Sequence, residues 1–337
     1  MKSSRVHARW VLNLLVIFLA LPAAAFAQGD GPRIFWHGLA GTDIVNFWYV
    51  NASGNANPLD PSHVVRPNAS FDANMAIAGY SKMLPLFGRS ATASIFLPVG
   101  NINTSVTGGP TSQQQGSRGF GQPILQLNTN LIGAPAIMSL ADMARYEPTF
   151  TLDLLTTLAL PIGTYDSNQI VNVSQNRWYG RVGMPMMKSF GPWVPGQRTT
   201  LEILPAGWFF GNNHDYAGQT LKSDPLLQLE GHVTLDLTET LWASADVVWL
   251  YGAKPTIEGP APASLTGYPS VSGKKLENVS AGFTVGFQAT DNLMISASYS
   301  ATVNGGSQDL KIDQFRLMLT YGWHPLIEGM KRLTKDH

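Results

Sequence analysis

Between Leu276 and Val303 the apolar residues fall on every second position in two successive runs separated by a short polar break. In the first run Val279, Ala281, Phe283, Val285 and Phe287 alternate with Asn278, Ser280, Gly282, Thr284 and Gly286. In the second, Leu293, Ile295, Ala297, Tyr299, Ala301 and Val303 alternate with Met294, Ser296, Ser298, Ser300 and Thr302. Side chains of a strand point to opposite faces in turn, so each run predicts a strand with one apolar and one small polar face. The pattern recurs in residues 150–162, 226–237, 241–252 and 315–323. It is weaker in 43–50, 73–83, 91–100, 123–132, 177–188 and 199–210. Most of these runs are close to the ten residues that a tilted strand needs to cross a bilayer. Together they predict an all-β, up-and-down antiparallel transmembrane β-barrel of about twelve strands, with ten or fourteen as the neighbouring counts.

The placement of charge decides between a barrel in lipid and a soluble β-sandwich. In the clearest segments Asp153, Glu230, His232, Asp236, Asp246 and Arg316 all lie on the polar parity. A Lys or Arg on the lipid side at mid-depth costs ~2–4 kcal/mol, and an acid somewhat less. A sandwich also alternates, but its strands run nearer five or six residues and its solvent face carries more Lys and Glu. Charged residues make up 13% of this chain, against roughly 25% in soluble domains. Connection lengths agree with a barrel whose two termini share the periplasmic side. "TET" (238–240) and "ATDN" (289–292) are tight inner turns, whereas the runs from Asn101 and from Ala253 are long outer loops. The inner connection 133–147 breaks this rule by its length and predicts a helical turn or two.

The N-terminus adds a compartment. A basic start, the apolar run "WVLNLLVIFLAL" and Ala25-Phe26-Ala27 have the layout of a cleaved signal peptide over residues 1–27. Its removal takes Lys2, Arg5 and Arg9, leaving 19 basic against 22 acidic residues, a net charge of −3. No basic patch remains to recruit nucleic acid. Cysteine is absent, so no disulfide framework is available in an oxidising compartment. The expected organisation is a periplasmic segment or short plug at 28–41, a barrel at 42–323 and a periplasmic tail at 324–337.

Several stretches resemble the bacterial outer-membrane family associated with the meta pathway of phenol degradation, whose members are often called simply transporters. They are "FGQPILQLNTNLIGAPA" (120–136), "LALPIGTYDSNQIVNVSQNRW" (158–178), "LLQLEGHVTLDLTETLWASADVVWLYG" (226–252) and the closing "FRLMLTYGW". The resemblance implies an integral outer-membrane barrel that passes hydrophobic or aromatic compounds. Gly121-Gln122-Pro123 stands where the family has Gly-Asp-Pro. The chain also continues past Trp323, so recognition by the barrel-insertion machinery is expected to use Tyr321 or Trp323 as an internal signal.

A twelve-strand barrel leaves room for a small solute or a narrow, obstructed pore. On the predicted parity Asp153, Arg181, Glu202, Glu230, His232, Asp236, Asp246 and Arg316 face the lumen. They either guide a solute or pair with one another to neutralise a narrow interior. Phe35, Trp36 and Leu39, ahead of the first strand, either tuck into the periplasmic mouth as a plug or join an aromatic girdle. The histidines lack metal-ligand spacing, and no cofactor is expected. The expected partners are outer-membrane lipid, the insertion machinery and a small hydrophobic or aromatic solute. Two other functions stand beside the channel: a surface-interaction barrel acting through its long loops, and a lipid hydrolase built on Ser244 and His232.

Overall fold

The computed structural model describes residues 29–106, 114–260, 270–306 and 309–329, so the expected signal peptide lies outside the described residues. Twelve antiparallel staves close into a barrel. β1 (Asp43–Gly54), β2 (Ala69–Leu86) and β3 (Arg89–Val106) pair in chain order. β4 (Gln114–Phe120) covers one end of β3, and β5 (Ile124–Ile132) continues along the same edge. After β6 (Phe150–Ala159) comes a stave in two pieces, β7 (Tyr179–Gly183) and β8 (Met186–Phe190), both lying between β6 and β9 (Thr199–Phe210). β10 (Asn213–Tyr216), β11 (Gln219–Ser223) and β14 (Pro255–Glu258) form a separate small sheet. The wall resumes with β12 (Leu226–Asp236), β13 (Leu241–Gly252), β15 (Leu276–Gln288), β16 (Leu293–Thr302) and β17 (Ile312–Trp323). β17 then pairs with β1 from Asp43↔Trp323 to Gly54↔Ile312 and completes the ring.

The barrel is inside-out relative to a soluble protein. Val233 is 53% exposed while Thr234 beside it is fully buried; Phe283 is 43% exposed and Thr284 buried. The outer face is therefore the apolar one, as hydrocarbon requires. Charges that do sit on that face lie near strand ends. Lys82 pairs with Asp43, the first residue of β1, and Lys188 lies opposite Phe150, the first of β6. Glu277 and Asp313 are the second residues of their strands. A charge costs little at that height, where water begins.

All twelve expected staves form. β2 and β3 extend well beyond 73–83 and 91–100, to eighteen residues each, because their far halves keep pairing past the apolar belt with polar sequence such as "NINTSV". The stave expected at 177–188 is interrupted at Met184-Pro185, where proline has no N–H to give. Register is kept, and the Pro185 carbonyl still accepts the Asp153 N–H at 2.8 Å. The long connection 133–147 carries α1 (Leu140–Arg145), capped by the Ser139 hydroxyl.

Call the end where β1 begins and β17 stops the near end. At the far end, loops fold over the mouth. Val64, Phe71, Ile102, Val171, Val173 and Tyr216 pack into one buried apolar cluster that joins the loops to the tops of β2 and β3. Arg177, its side chain wholly buried, reaches Asp60 at 3.0 Å and the Ser62 hydroxyl at 2.7 Å and ties two of these loops together.

Candidate functional site

β12 sends Glu230, His232 and Asp236 inward from alternate positions. Register sets Glu202 of β9 and Asp246 of β13 directly beside His232. The imidazole Nδ1 lies 2.7 Å from Asp246 Oδ1 and Nε2 2.8 Å from Glu230 Oε1. A carboxylate only accepts, so the ring satisfies both neighbours by donating from both nitrogens. The Ser244 and Thr284 hydroxyls add two donors to Asp246, each at 2.7 Å. This part of the wall is a dense, largely buried polar strip.

The segment from Gly29 to Gly41 lies inside the barrel against that strip. The N–H groups of Asp30 and Gly31 donate to the two oxygens of Glu230, at 3.1 and 2.9 Å. The Asp30 carboxylate pairs with Arg181, Nη1 at 2.7 Å and Nη2 at 3.1 Å. Arg316 Nη1 donates to the Gly29 carbonyl at 2.9 Å. Two glycines make this approach possible. A Cβ on Gly29 would stand 2.3 Å from the Glu230 carboxyl carbon, and one on Gly31, at φ +106°, would stand 2.6 Å from Arg316 Nη2.

Further along, Arg33 pairs with Asp236 at 2.8 Å, and its guanidinium lies 4.4 Å from the Trp36 ring centre and 4.5 Å from that of Trp242. The Arg33 N–H and the Trp36 indole both donate to Glu202, at 2.8 and 2.9 Å. His37 Nε2 lies 3.2 Å from Asp153 Oδ1. Phe35 packs on Leu155, Leu204 and Ala206 of the wall, and Leu39 bridges to Ile137.

Of the eight lumen residues singled out in the sequence, six touch this segment: Asp153, Arg181, Glu202, Glu230, Asp236 and Arg316. His232 and Asp246 brace Glu230 from behind. Taking charges out of water is expensive, and each carboxylate here is met by donors from the wall, the segment or both. The residues that sequence reasoning missed are the segment's own partners, Asp30, Arg33 and His37. Their signal was three titratable groups within the nine residues of "DGPRIFWHG" in a chain otherwise poor in charge. The Arg177–Asp60 tie was also missed.

Among the described residues the lumen holds two sizeable cavities besides a narrow crevice between the segment and the wall at Asp153 and Glu202. A far chamber of about 280 Å³ lies between Gly29–Asp30 and the loops, walled by Trp48, Met75, Ile77, Trp208 and Leu250, with Arg181 and Arg316 in its lining. A near chamber of about 290 Å³ lies beside Arg33–His37, against the opposite wall of Asn46, Ser81, Ser94, Phe96 and Ser296. Trp48 lines both.

Hydrolysis would need Ser244 against a free histidine nitrogen. Instead the Ser244 hydroxyl donates to Asp246, and both ring nitrogens of His232 are engaged by carboxylates. Among the described residues no cluster has the geometry of a metal site. Gln122, at the position where Gly-Asp-Pro was expected, is buried; its amide donates to the Arg177 carbonyl at 2.8 Å and accepts the Gln175 N–H at 2.9 Å. An ionised aspartate could do only the second of these.

The family described as "Putative MetA-pathway of phenol degradation" matches residues 51–314. An outer membrane channel from Pseudomonas putida F1 superposes with a TM-score of 0.63 at 15% identity, covering 88% of this chain and 99% of that one. The transport unit of the autotransporter AIDA-I from Escherichia coli gives 0.47 at 8% identity, over 88% and 93%. The β domain of the Bordetella autotransporter BrkA gives 0.46 at 9% identity, over 84% and 100%. No curated protein matches the chain significantly.

Proposed function

Because the chain belongs to the phenol-degradation family, we propose that it is an outer-membrane channel for small aromatic or hydrophobic molecules. The near end then faces the periplasm and the looped end the cell exterior. The observation that carries this reading is the pair of chambers set end to end along the barrel, the far one walled largely by apolar side chains and the near one by apolar and polar side chains alike. An apolar cavity with a few placed polar groups is the usual form of a small-molecule path. Residues 29–41 act as a plug: they are held in the lumen by polar contacts rather than by a continuous apolar core, which suits a closure that must be released. The lumen residues named above position that plug, and those lining the chambers meet the solute.

Single-channel recording in planar bilayers tests the reading. Small conductance is expected, interrupted by added neutral aromatics such as benzamide. Absence of conductance both in the intact protein and after deletion of residues 29–41 would overturn it.

A further inference from the structure

Three features of the far chamber do not follow from passage of a neutral solute. Its floor holds two guanidiniums, Arg181 and Arg316, both buried. Each lies near an indole that also lines the chamber, Arg181 at 4.7 Å from the Trp208 ring centre and Arg316 at 6.0 Å from that of Trp48. Among the described residues neither is paired with a wall carboxylate. Arg181 takes its ion pair from Asp30, and Arg316 makes one hydrogen bond, to the Gly29 carbonyl, leaving its Nε without a partner among the described residues. The nearby wall acids are already engaged: Glu230 by Gly31, Asp30, Gln228 and His232, and Asp246 by His232, Ser244 and Thr284.

Both arginines thus reach in from opposite staves to one short stretch of the plug, Arg181 to the Asp30 carboxylate and Arg316 to the Gly29 carbonyl. A buried arginine is costly unless an anion meets it, and a guanidinium accommodates a carboxylate through two parallel N–H donors. Asp30 already shows that pose on Arg181. Resting on the channel reading above, we infer that the far chamber is a binding site for a small aromatic carboxylate. Its ring lies among Trp48, Trp208, Ile77 and Leu250, and its carboxylate is held by Arg316 and Arg181. The Asp30 carboxylate and the Gly29 carbonyl are a built-in mimic of that ligand, so the solute's anionic end competes with the plug for the same two guanidiniums. Binding and unplugging are one exchange. A chamber of about 280 Å³ suits a single-ring acid, near the lower end of the ~300–1,000 Å³ range of small-molecule sites.

The test uses benzoate against benzamide, which match in shape and differ in charge, on the full-length protein. Calorimetry on detergent-solubilised protein and current interruption in planar bilayers are the readouts. Benzoate is expected to bind about tenfold or more tightly than benzamide, the scale of a hydrogen bond to a charged group. Arg316→Met is expected to bring the benzoate-to-benzamide affinity ratio close to one. Asp30→Asn, which leaves the wall untouched and removes the competing charge, is expected to tighten benzoate and not benzamide; it keeps the test decisive if Arg316→Met fails to fold. Equal binding of the two probes, unmoved by Asp30→Asn, would overturn the carboxylate site while leaving the channel standing. Tight benzoate binding with no conductance in any variant would do the reverse.

Discussion

Two parts of the molecule obstruct the lumen, and different physics holds each in place. At the far mouth, loops are joined through an apolar cluster of Val64, Phe71, Ile102, Val171, Val173 and Tyr216, with one wholly buried ion pair between Arg177 and Asp60. Below it, the plug is fixed by Asp30, Arg33, Trp36 and His37 to charges on the wall. Apolar burial accumulates with area and has no specific competitor. A set of ion pairs can be exchanged one for one with another ion. The far closure therefore behaves as architecture and the plug as a latch.

Removing the latch should have the largest effect. Deletion of residues 29–37 joins the two chambers, and single-channel conductance is expected to rise severalfold without loss of the folded barrel. Unchanged conductance would show that the far loops alone set the resistance. Next in size, Arg177→Met leaves Asp60 buried without its cation, a class of change that costs ~3–5 kcal/mol. The loss should appear as protease nicking of loop residues 55–68 and not as unfolding of the staves.

Acid should loosen the same roof. His63 lies in it, fully buried, and burial pushes its pKa from the ordinary 6.5 down to about 4, against the pull of Asp60. The loosened loop binds a proton near 6.5 and the packed one near 4. Roof stability is thus complete above pH 6.5 and falls as pH drops toward 4, by up to ~3 kcal/mol. His63→Gln should flatten that dependence in a nicking assay run from pH 7 to pH 4. The smallest effect is expected from a single plug contact. Arg33→Met leaves the anchors at Glu230, Arg181, Arg316 and Glu202 in place, so ~1–3 kcal/mol is lost from the latch. Brief openings in the current trace would report it.

The contrast also explains what the sequence could reveal. The twelve staves were legible because a two-residue period, repeated over ten positions with each charge on one parity, is a local signal that lipid enforces. Asp153, Glu230, Asp246 and Arg316 were legible as lumen residues for the same reason. What they touch was not. The partners that Glu230 and Glu202 find on residues 29–41 lie 166–200 positions away in the chain, and no local pattern encodes such pairings. β10, β11 and β14 stayed hidden because they are four or five residues long and stand off the wall, where no hydrocarbon imposes alternation. The break at Pro185 was visible as a proline, yet its effect on the stave depended on neighbours that keep register across it.

The seam where β17 meets β1 sets an order of events during assembly. Twelve residue pairs join the last stave to the first, so the cylinder shuts only after the final strand has been made. The plug is continuous with β1 and lies wholly within the finished cylinder. Once that zipper has run, the side wall offers no doorway for an Arg33 or a Trp36, so the segment can pass only through the near mouth, where it joins β1. The closed ring thus gives residues 29–41 a single direction of travel, along the axis and toward the end where β1 begins.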